Sequence, residues 1–232
     1  MGEITSGEKI IITIDGPAGS GKTSSARELA YTLGYRHLDS GALYRAVTFV
    51  LLEENIQPNQ WKELTADQLQ NLHLEFVLED RVISMYYRQR KILSQLRTPH
   101  VTKNVSYISS LPEVRNFLLQ TQKMLGDHGR LVADGRDMGA TIFPDAEVKF
   151  FLTAELVVRA RRRLLENFGG GYSPKQLEDE MVLIQERDDS DQQRKHSPLT
   201  QAKDSILVDT SRLTFEAQLR VLRKIVKDLT GI

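Results

Sequence analysis

The chain has 232 residues, of which 40% are hydrophobic, enough to bury the core of one domain with room for an inserted subdomain. Its 31 Lys+Arg balance 31 Asp+Glu and only 7% of residues are aromatic, so neither nucleic acid nor an anionic membrane is an expected partner. Cysteine is absent, which excludes disulfides, thiol nucleophiles and thiolate metal sites. The start, "MGEITSGEKIIITID", holds only a six-residue apolar patch, too short for a signal-peptide core or a membrane span. Met1 and Gly2 open an N-myristoylation pattern that Ser6 alone supports, and it reads as chance. A cytoplasmic enzyme is expected, and nothing in the sequence demands more than a monomer.

In chain order, "KIIITI" (9–14) reads as a buried strand, and "TSSARELAYTL" as a helix that Gly34 can end. "YRHLD" is a weaker strand, followed by a helix through "ALYRAVTFVLLEE". A capping box from Thr65 to Gln68 opens the short helix "ADQLQNL". The stretch 72–97 then reads as three β segments without a helix, a small antiparallel insert. Its "ED" can form the first turn, while "RQR" lacks the glycine or asparagine of a tight one. Thr98 with Pro99 starts another helix, as does Pro112. Strands follow at 130–134, 147–153 and 205–209, with helices around 155–167, 174–188 and 214–228. "GGGY" (169–172) is a hinge candidate. Strand–helix alternation of this kind predicts an α/β fold, a parallel sheet covered on both faces.

"GPAGSGKTSS" (16–25) lies between the first strand and the first helix and satisfies G-x-x-x-x-G-K-[ST], the P-loop pattern. Glycine lets main-chain N–H groups turn inward around phosphate, and the helix N-terminus adds its dipole. The triphosphate-binding segment is therefore Gly16, Pro17, Ala18, Gly19, Ser20, Gly21, Lys22, Thr23 and Ser24. Lys22 is expected on the β- and γ-phosphates and the Thr23 hydroxyl on Mg²⁺. No N-K-x-D guanine reader is present, and Asp134 is followed by Gly135 rather than by a glutamate base. Transfer to a second substrate, not hydrolysis, is the expectation.

Four stretches suit a phosphorylated acceptor. "DSGALYR" carries Tyr44 and Arg45, "SYISSLPEVR" carries Ser106 and Arg115, "DGRDMG" carries Arg136 and Asp137, and "ERDDSDQQR" carries Arg187, Asp191 and Arg194. Arginine, at 19 residues against 12 lysines, supplies the planar fork that grips phosphate. In the basic run "RARRR", Arg159 and Arg163 stand at i and i+4 on one helical face, as for a lid that closes on ATP.

With "IDGPAGSGK", "LDSGALYRA", "LRTPHV", "VADGRDMGATIFPDA" and "ERDDSDQQRKHSPL" in order over nearly its whole length, the chain resembles the bacterial cytidylate kinases. These are a branch of the P-loop nucleoside monophosphate kinases. The chain departs from their pattern in the glycine-free "YYRQRK" turn, in Ser190 where some members have a basic residue, and in a longer "NFGGGYSP". The resemblance implies a core at about 8–53, 98–158 and 195–232, a monophosphate-binding insert at about 54–97 and a lid at about 159–194. It implies that Arg45 and Arg136 hold the acceptor phosphate, and that Ser40, Ser106, Arg115 and Asp137 face the base. Arg187 and Asp191 would lie near the ribose and Arg194 near the phosphates. Lys22, Arg136 and Arg194 would be the catalytic cations, ATP the donor, Mg²⁺ the metal, and CMP and dCMP the acceptors. A same-fold kinase for another monophosphate or a metabolite hydroxyl, with Asp134 as base, is the alternative. A non-catalytic nucleotide sensor is a further one.

Overall fold

The computed structural model describes residues 10–232. Lys9, the start of the first predicted strand, and the Met1–Ser6 acylation pattern lie outside the described residues. Eight strands form one sheet: β1 (Ile11–Asp15), β2 (Arg36–Asp39), β3 (Leu74–Glu79), β4 (Val82–Tyr87), β5 (Arg90–Lys91), β6 (Leu131–Gly135), β7 (Val148–Thr153) and β8 (Ile206–Asp209). Their order is β3-β4-β2-β6-β1-β7-β8, with β5 beside β4. All pairings are parallel except β3 with β4 and β4 with β5.

Among the described residues there are eight α-helices, in chain order α1 (Lys22–Leu33), α2 (Ser40–Glu53), α3 (Ala66–Gln70), α4 (Pro99–Ile108), α5 (Pro112–Gly126), α6 (Leu156–Phe168), α7 (Pro174–Gln192) and α8 (Phe215–Thr230). On one sheet face, α2, α4 and α5 share a core with Leu38, Leu131 and Ala133. On the other, α1 and α8 pack on Ile12, Ile14 and Phe150. The buried strands are near-continuous apolar runs for this reason, both faces being covered. Among the described residues no helix is long and apolar enough to cross a membrane.

Local chemistry sets the helix ends. Gly34 takes a left-handed cap at φ 66°, Thr65 and Gln68 form the predicted capping box, and Thr98 caps α4 ahead of Pro99. Helix α7 runs four residues beyond the predicted 188, to Gln192.

The antiparallel insert is continuous with the main sheet, because β4 meets β2 in parallel at a single pair, His37 with Val82. Its turns fall at Asp80–Arg81, one residue later than "ED", and at Arg88–Gln89. All four residues adopt positive φ between 43° and 70°. Side chains other than glycine thus occupy the left-handed positions that a tight hairpin requires.

The register lines three carboxylates along the carboxyl end of the sheet. Asp134 on β6 stands level with Ile14 on β1 and with Asp39 on β2, and Asp15 ends β1. Ligands of open α/β sheets collect at this end.

Candidate active site

The loop after β1 has no room for a side chain at two of its glycines. A Cβ on Gly16 would lie 2.1 Å from the Leu152 carbonyl oxygen, and one on Gly19 would press on Arg159. Gly16, Gly19 and Gly21 all have positive φ, and Gly21 caps α1 with no side chain over the helix end. Its first N–H groups stay free for an anion. Lys22 is buried and donates to the Pro17 carbonyl at 3.0 Å, folding its ammonium over the loop. Burial, and after it the Arg136 guanidinium, pull that ammonium down to about 7. Ser20 is buried with its hydroxyl unpaired among the described residues.

Thr23 donates its hydroxyl proton to Asp134 at 2.5 Å, and His37 contacts the other Asp134 oxygen at 2.8 Å. Asp39 stands beside them and caps α2 through the Ala42 N–H; burial, then the Asp134 charge, raise its carboxyl. Asp15 accepts from the Met138 and Gly139 amides at 2.9 and 2.8 Å. That shapes the loop after β6 into a wide turn, in which the Phe143 N–H reaches back five residues to Met138. Burial pushes Asp15 up to about 7.

Next to Lys22 the arginines gather. Arg136 donates to Asp191 at 2.6 Å, and Arg194 pairs with the other oxygen of the same carboxylate. Arg187 is half-buried and pulled down to about 9, first by desolvation and then by the charges of Arg136 and Arg45. Its Nε has no partner among the described residues. Arg45, held by the Leu96 carbonyl at 3.1 Å and the Thr102 hydroxyl at 2.9 Å, is pulled down to about 10 by burial. Lys22, Arg45, Arg136, Arg163 and Arg187 thus crowd one cleft, where each cation raises the cost of the next.

Beside this cradle, Arg115 and Asp137 form a buried pair, with the Arg115 guanidinium 5.6 Å from the centre of the Tyr44 ring. Arg115 also donates to the Ser109 carbonyl at 3.0 Å. Ser40 is buried and accepts from Gln122 at 2.8 Å. Ser106 lies in the last turn of α4, where its carbonyl accepts from Ser109. A cavity of about 150 Å³ opens past Arg115, with Thr141, His196 and Ser197 in its wall.

The basic run of α6 divides its work. Arg159 is buried and donates to the Ala154 and Ala18 carbonyls at 2.9 and 3.0 Å while pairing with Asp188. Asp188 in turn accepts the Ala18 N–H at 2.9 Å. The phosphate loop is thereby clamped through both main-chain groups of one residue. Arg162 bonds Thr210, and Arg163 pairs with Glu180 at 3.1 Å. The same-face spacing of Arg159 and Arg163 holds, but Arg159 spends its donors on the loop and only Arg163 faces the arginine cleft.

The match to known proteins follows the same residues. The protein-family model for cytidylate kinase covers residues 12–230. The chain belongs to the cytidylate kinase family. A cytidylate kinase of Ligilactobacillus salivarius (strain UCC118) is 41% identical over 221 residues, 95% of this chain and 98% of its own length. A bifunctional pantoate ligase/cytidylate kinase of Prochlorococcus marinus (strain NATL1A) is 40% identical over 215 residues, and this chain spans 42% of that protein. The fold alone is shared with an uncharacterized protein from Eubacterium ventriosum ATCC 27560, at a TM-score of 0.50 and 12% identity over 95% of this chain and 99% of that one.

Within this cytidylate-kinase-family chain, sequence reasoning missed Asp188, Asp15 and His37. Asp188 lay inside the quoted "ERDDSD" without a role, since its partner Ala18 is 170 residues away. His37 read as part of a weak strand. The signal that could have found it is its place in β2, two residues before the strand's terminal aspartate.

Proposed function

We propose that this chain transfers the γ-phosphoryl group of ATP in line to the phosphate of CMP and dCMP, giving CDP and dCDP. The observation that carries this reading is the crowding of Arg45, Arg136, Arg163 and Arg187 beside Lys22, with the Arg187 Nε shut off from solvent and unpartnered among the described residues. Such a cluster is costly unless a polyanion occupies it. It adjoins Lys22 and the glycine loop, so two phosphate cradles share one cleft.

The loop amides and Lys22 take the ATP phosphates, while Arg45 and Arg136 take the acceptor phosphate and Arg194 lies near the phosphates. Arg187 and Asp191 lie towards the ribose. A phosphate monoester has its second pKa near about 6 and is largely ionised at neutral pH. The acceptor needs no general base, in keeping with Asp134 being engaged by Thr23 and His37. These residues act by positioning and by neutralising charge.

For the base, Asp137 takes the cytosine amino group and Arg115 its acceptor atoms, with Ser40, Ser106 and Tyr44 around them. Uracil would turn an oxygen towards the carboxylate and leave buried groups unpaired.

The Thr23 hydroxyl and an Asp134 oxygen, 2.5 Å apart, are hard oxygen donors that fit Mg²⁺. Among the described residues no group of three or more acidic or histidine side chains could hold an ion. The fit is therefore to an ion carried in with the phosphates. Thr23 and Asp134 would hold it, and it would supply positive charge against the transferring phosphoryl group.

The core, the insert at about 54–97 and the lid at about 159–194 divide the work among donor binding, acceptor binding and closure. Gly169, Gly170 and Gly171, with nothing within 4 Å of an added Cβ, give the lid its flexible tip. A cytoplasmic monomer suffices for this chemistry, with no nucleic-acid or membrane partner. A panel of CMP, dCMP, UMP, AMP and small hydroxyl acceptors with ATP and Mg²⁺ tests the reading. Best turnover on anything but CMP or dCMP discards it.

A further inference from the structure

A second basic concavity lies at the opposite end of the sheet. A cavity of about 440 Å³ is lined by Gly34 and Arg36 at the start of β2, Leu78 and Arg81 of the β3–β4 hairpin, and His128 and Arg130 before β6. Strands β2 and β6 run from here to Asp39 and Asp134, three residues along each from Arg36 and Leu131, or roughly 10 Å. The cavity is thus separate from the cleft beside Lys22.

Three arginines and a histidine meet there, and none of them has a carboxylate within ion-pair distance among the described residues. In the active cleft Arg115 pairs with Asp137, Arg159 with Asp188, Arg136 and Arg194 with Asp191, and Arg163 with Glu180. Among the described residues the Arg36 side chain makes one hydrogen bond, from Nη2 to the Gly129 carbonyl at 2.5 Å. Arg130 lies 5.7 Å from the centre of the Tyr35 ring. The nearby acids do not line the cavity. Asp80 is beside Arg81 in the turn, Asp127 precedes His128, and Glu147 is taken by the Ile11 N–H at 2.7 Å. The carboxyl end of α1 at Gly34 attracts one cation, which accounts for the Arg81 guanidinium above that glycine. It does not account for Arg36, Arg130 and His128 around the same space. Leu78, 45% exposed, adds an apolar wall.

We propose that this cavity is an anion site for an oligophosphate group, borne by a nucleotide or by inorganic pyrophosphate. Arginine forks from three separate segments converge as such a group requires. A ligand there would tie the β3–β4 hairpin to β2 and β6, a junction that the sheet itself makes through one residue pair. The site does not depend on the proposed reaction. Only an effect on acceptor affinity would, since the hairpin belongs to the insert.

The test is residue-resolved amide NMR on the full chain, titrated separately with inorganic pyrophosphate and with CTP. Saturable shifts at Gly34, Arg81 and Gly129 are expected, with dissociation constants of about 1 mM or tighter. Arg36→Gln with Arg130→Gln should weaken them at least about tenfold while the Gly19 and Gly21 responses persist. Arg81→Gln with Arg130→Gln, both on exposed residues, provides the same comparison if the first pair fails to fold. Tighter CTP than pyrophosphate assigns a nucleotide, and equal affinity assigns the phosphates alone. Absence of saturable shifts at those amides up to about 10 mM, or shifts undiminished in the variants, overturns the proposal.

Discussion

Replacing Asp188 by Asn tests whether the phosphate loop depends on the α7 carboxylate behind it. Asp188 is 3% exposed, accepts the Ala18 N–H at 2.9 Å through one oxygen and pairs with Arg159 through the other. An Asn of the same size can satisfy one of these donors but turns an NH₂ group against the other. Breaking a buried pair from one side costs about 3–5 kcal/mol. A chain of this size loses about 2–4 °C of Tm per kcal/mol, so the expected drop is roughly 6–20 °C. Some of the loss should also reach the nucleotide. A hydrogen bond to a charged group contributes about 1.5–3 kcal/mol, so if the free loop must be ordered again by ATP, its KM should rise about tenfold or more. The assay is differential scanning calorimetry with steady-state kinetics at saturating CMP. Asp189→Asn serves as the comparison, since Asp189 bonds only the Gln185 side chain and the Gln193 amide near the surface. If both variants melt alike and keep the same KM for ATP, the clamp is not what orders the loop.

Three other outcomes follow from the site. ATP binding should take up close to one proton at pH 8, because Lys22 sits at about 7 in the empty chain and phosphate raises it. The bound state holds the proton more tightly, so affinity is full below about 7 and falls by up to about tenfold per pH unit above it. Calorimetry in two buffers of different ionisation enthalpy reads this, and zero uptake contradicts it. Asp137→Ala should cut the CMP-over-UMP ratio of kcat/KM by about tenfold or more with much less change in the KM for ATP. Because Arg115 also loses its partner, the ratio is taken within the one variant; an unchanged ratio places the amino-group reader elsewhere. Asp134→Asn should raise the Mg²⁺ concentration for half-maximal rate by about tenfold, with Mn²⁺ binding to the ATP complex, read by electron paramagnetic resonance, weakened in parallel. Equal metal dependence in the variant would remove Asp134 from the metal site.

Much of the fold was legible because its determinants are local. Short apolar runs located β1, β6, β7 and β8 of the parallel sheet, β2 showed only weakly, and the capping chemistry at Thr65 and Thr98 located helix starts. The glycine-free turns were harder, since Asp80, Arg81, Arg88 and Gln89 adopt left-handed backbone without the residue that advertises it. The site divides in the same way. The loop of residues 16–24 is contiguous and could be read directly. The partners of Arg115, Arg136 and Arg159 lie 22, 55 and 29 residues away, and pairing across such separations leaves no mark on periodicity. For Arg159 the helical spacing correctly gave its face but not which partner that face would meet.

One residue pair, His37 with Val82, is all that ties the antiparallel hairpin into the ladder of catalytic strands. The alignment of Asp134 with Asp39 and Ile14 is set by the β2–β6 and β6–β1 pairings, so changes confined to the hairpin's exposed turns leave it undisturbed. What holds the hairpin is packing rather than pairing, because Ile83 and Met85 are buried in the core that α2, α4 and α5 share; its two exposed turns can change in sequence without touching the residues that grip either nucleotide.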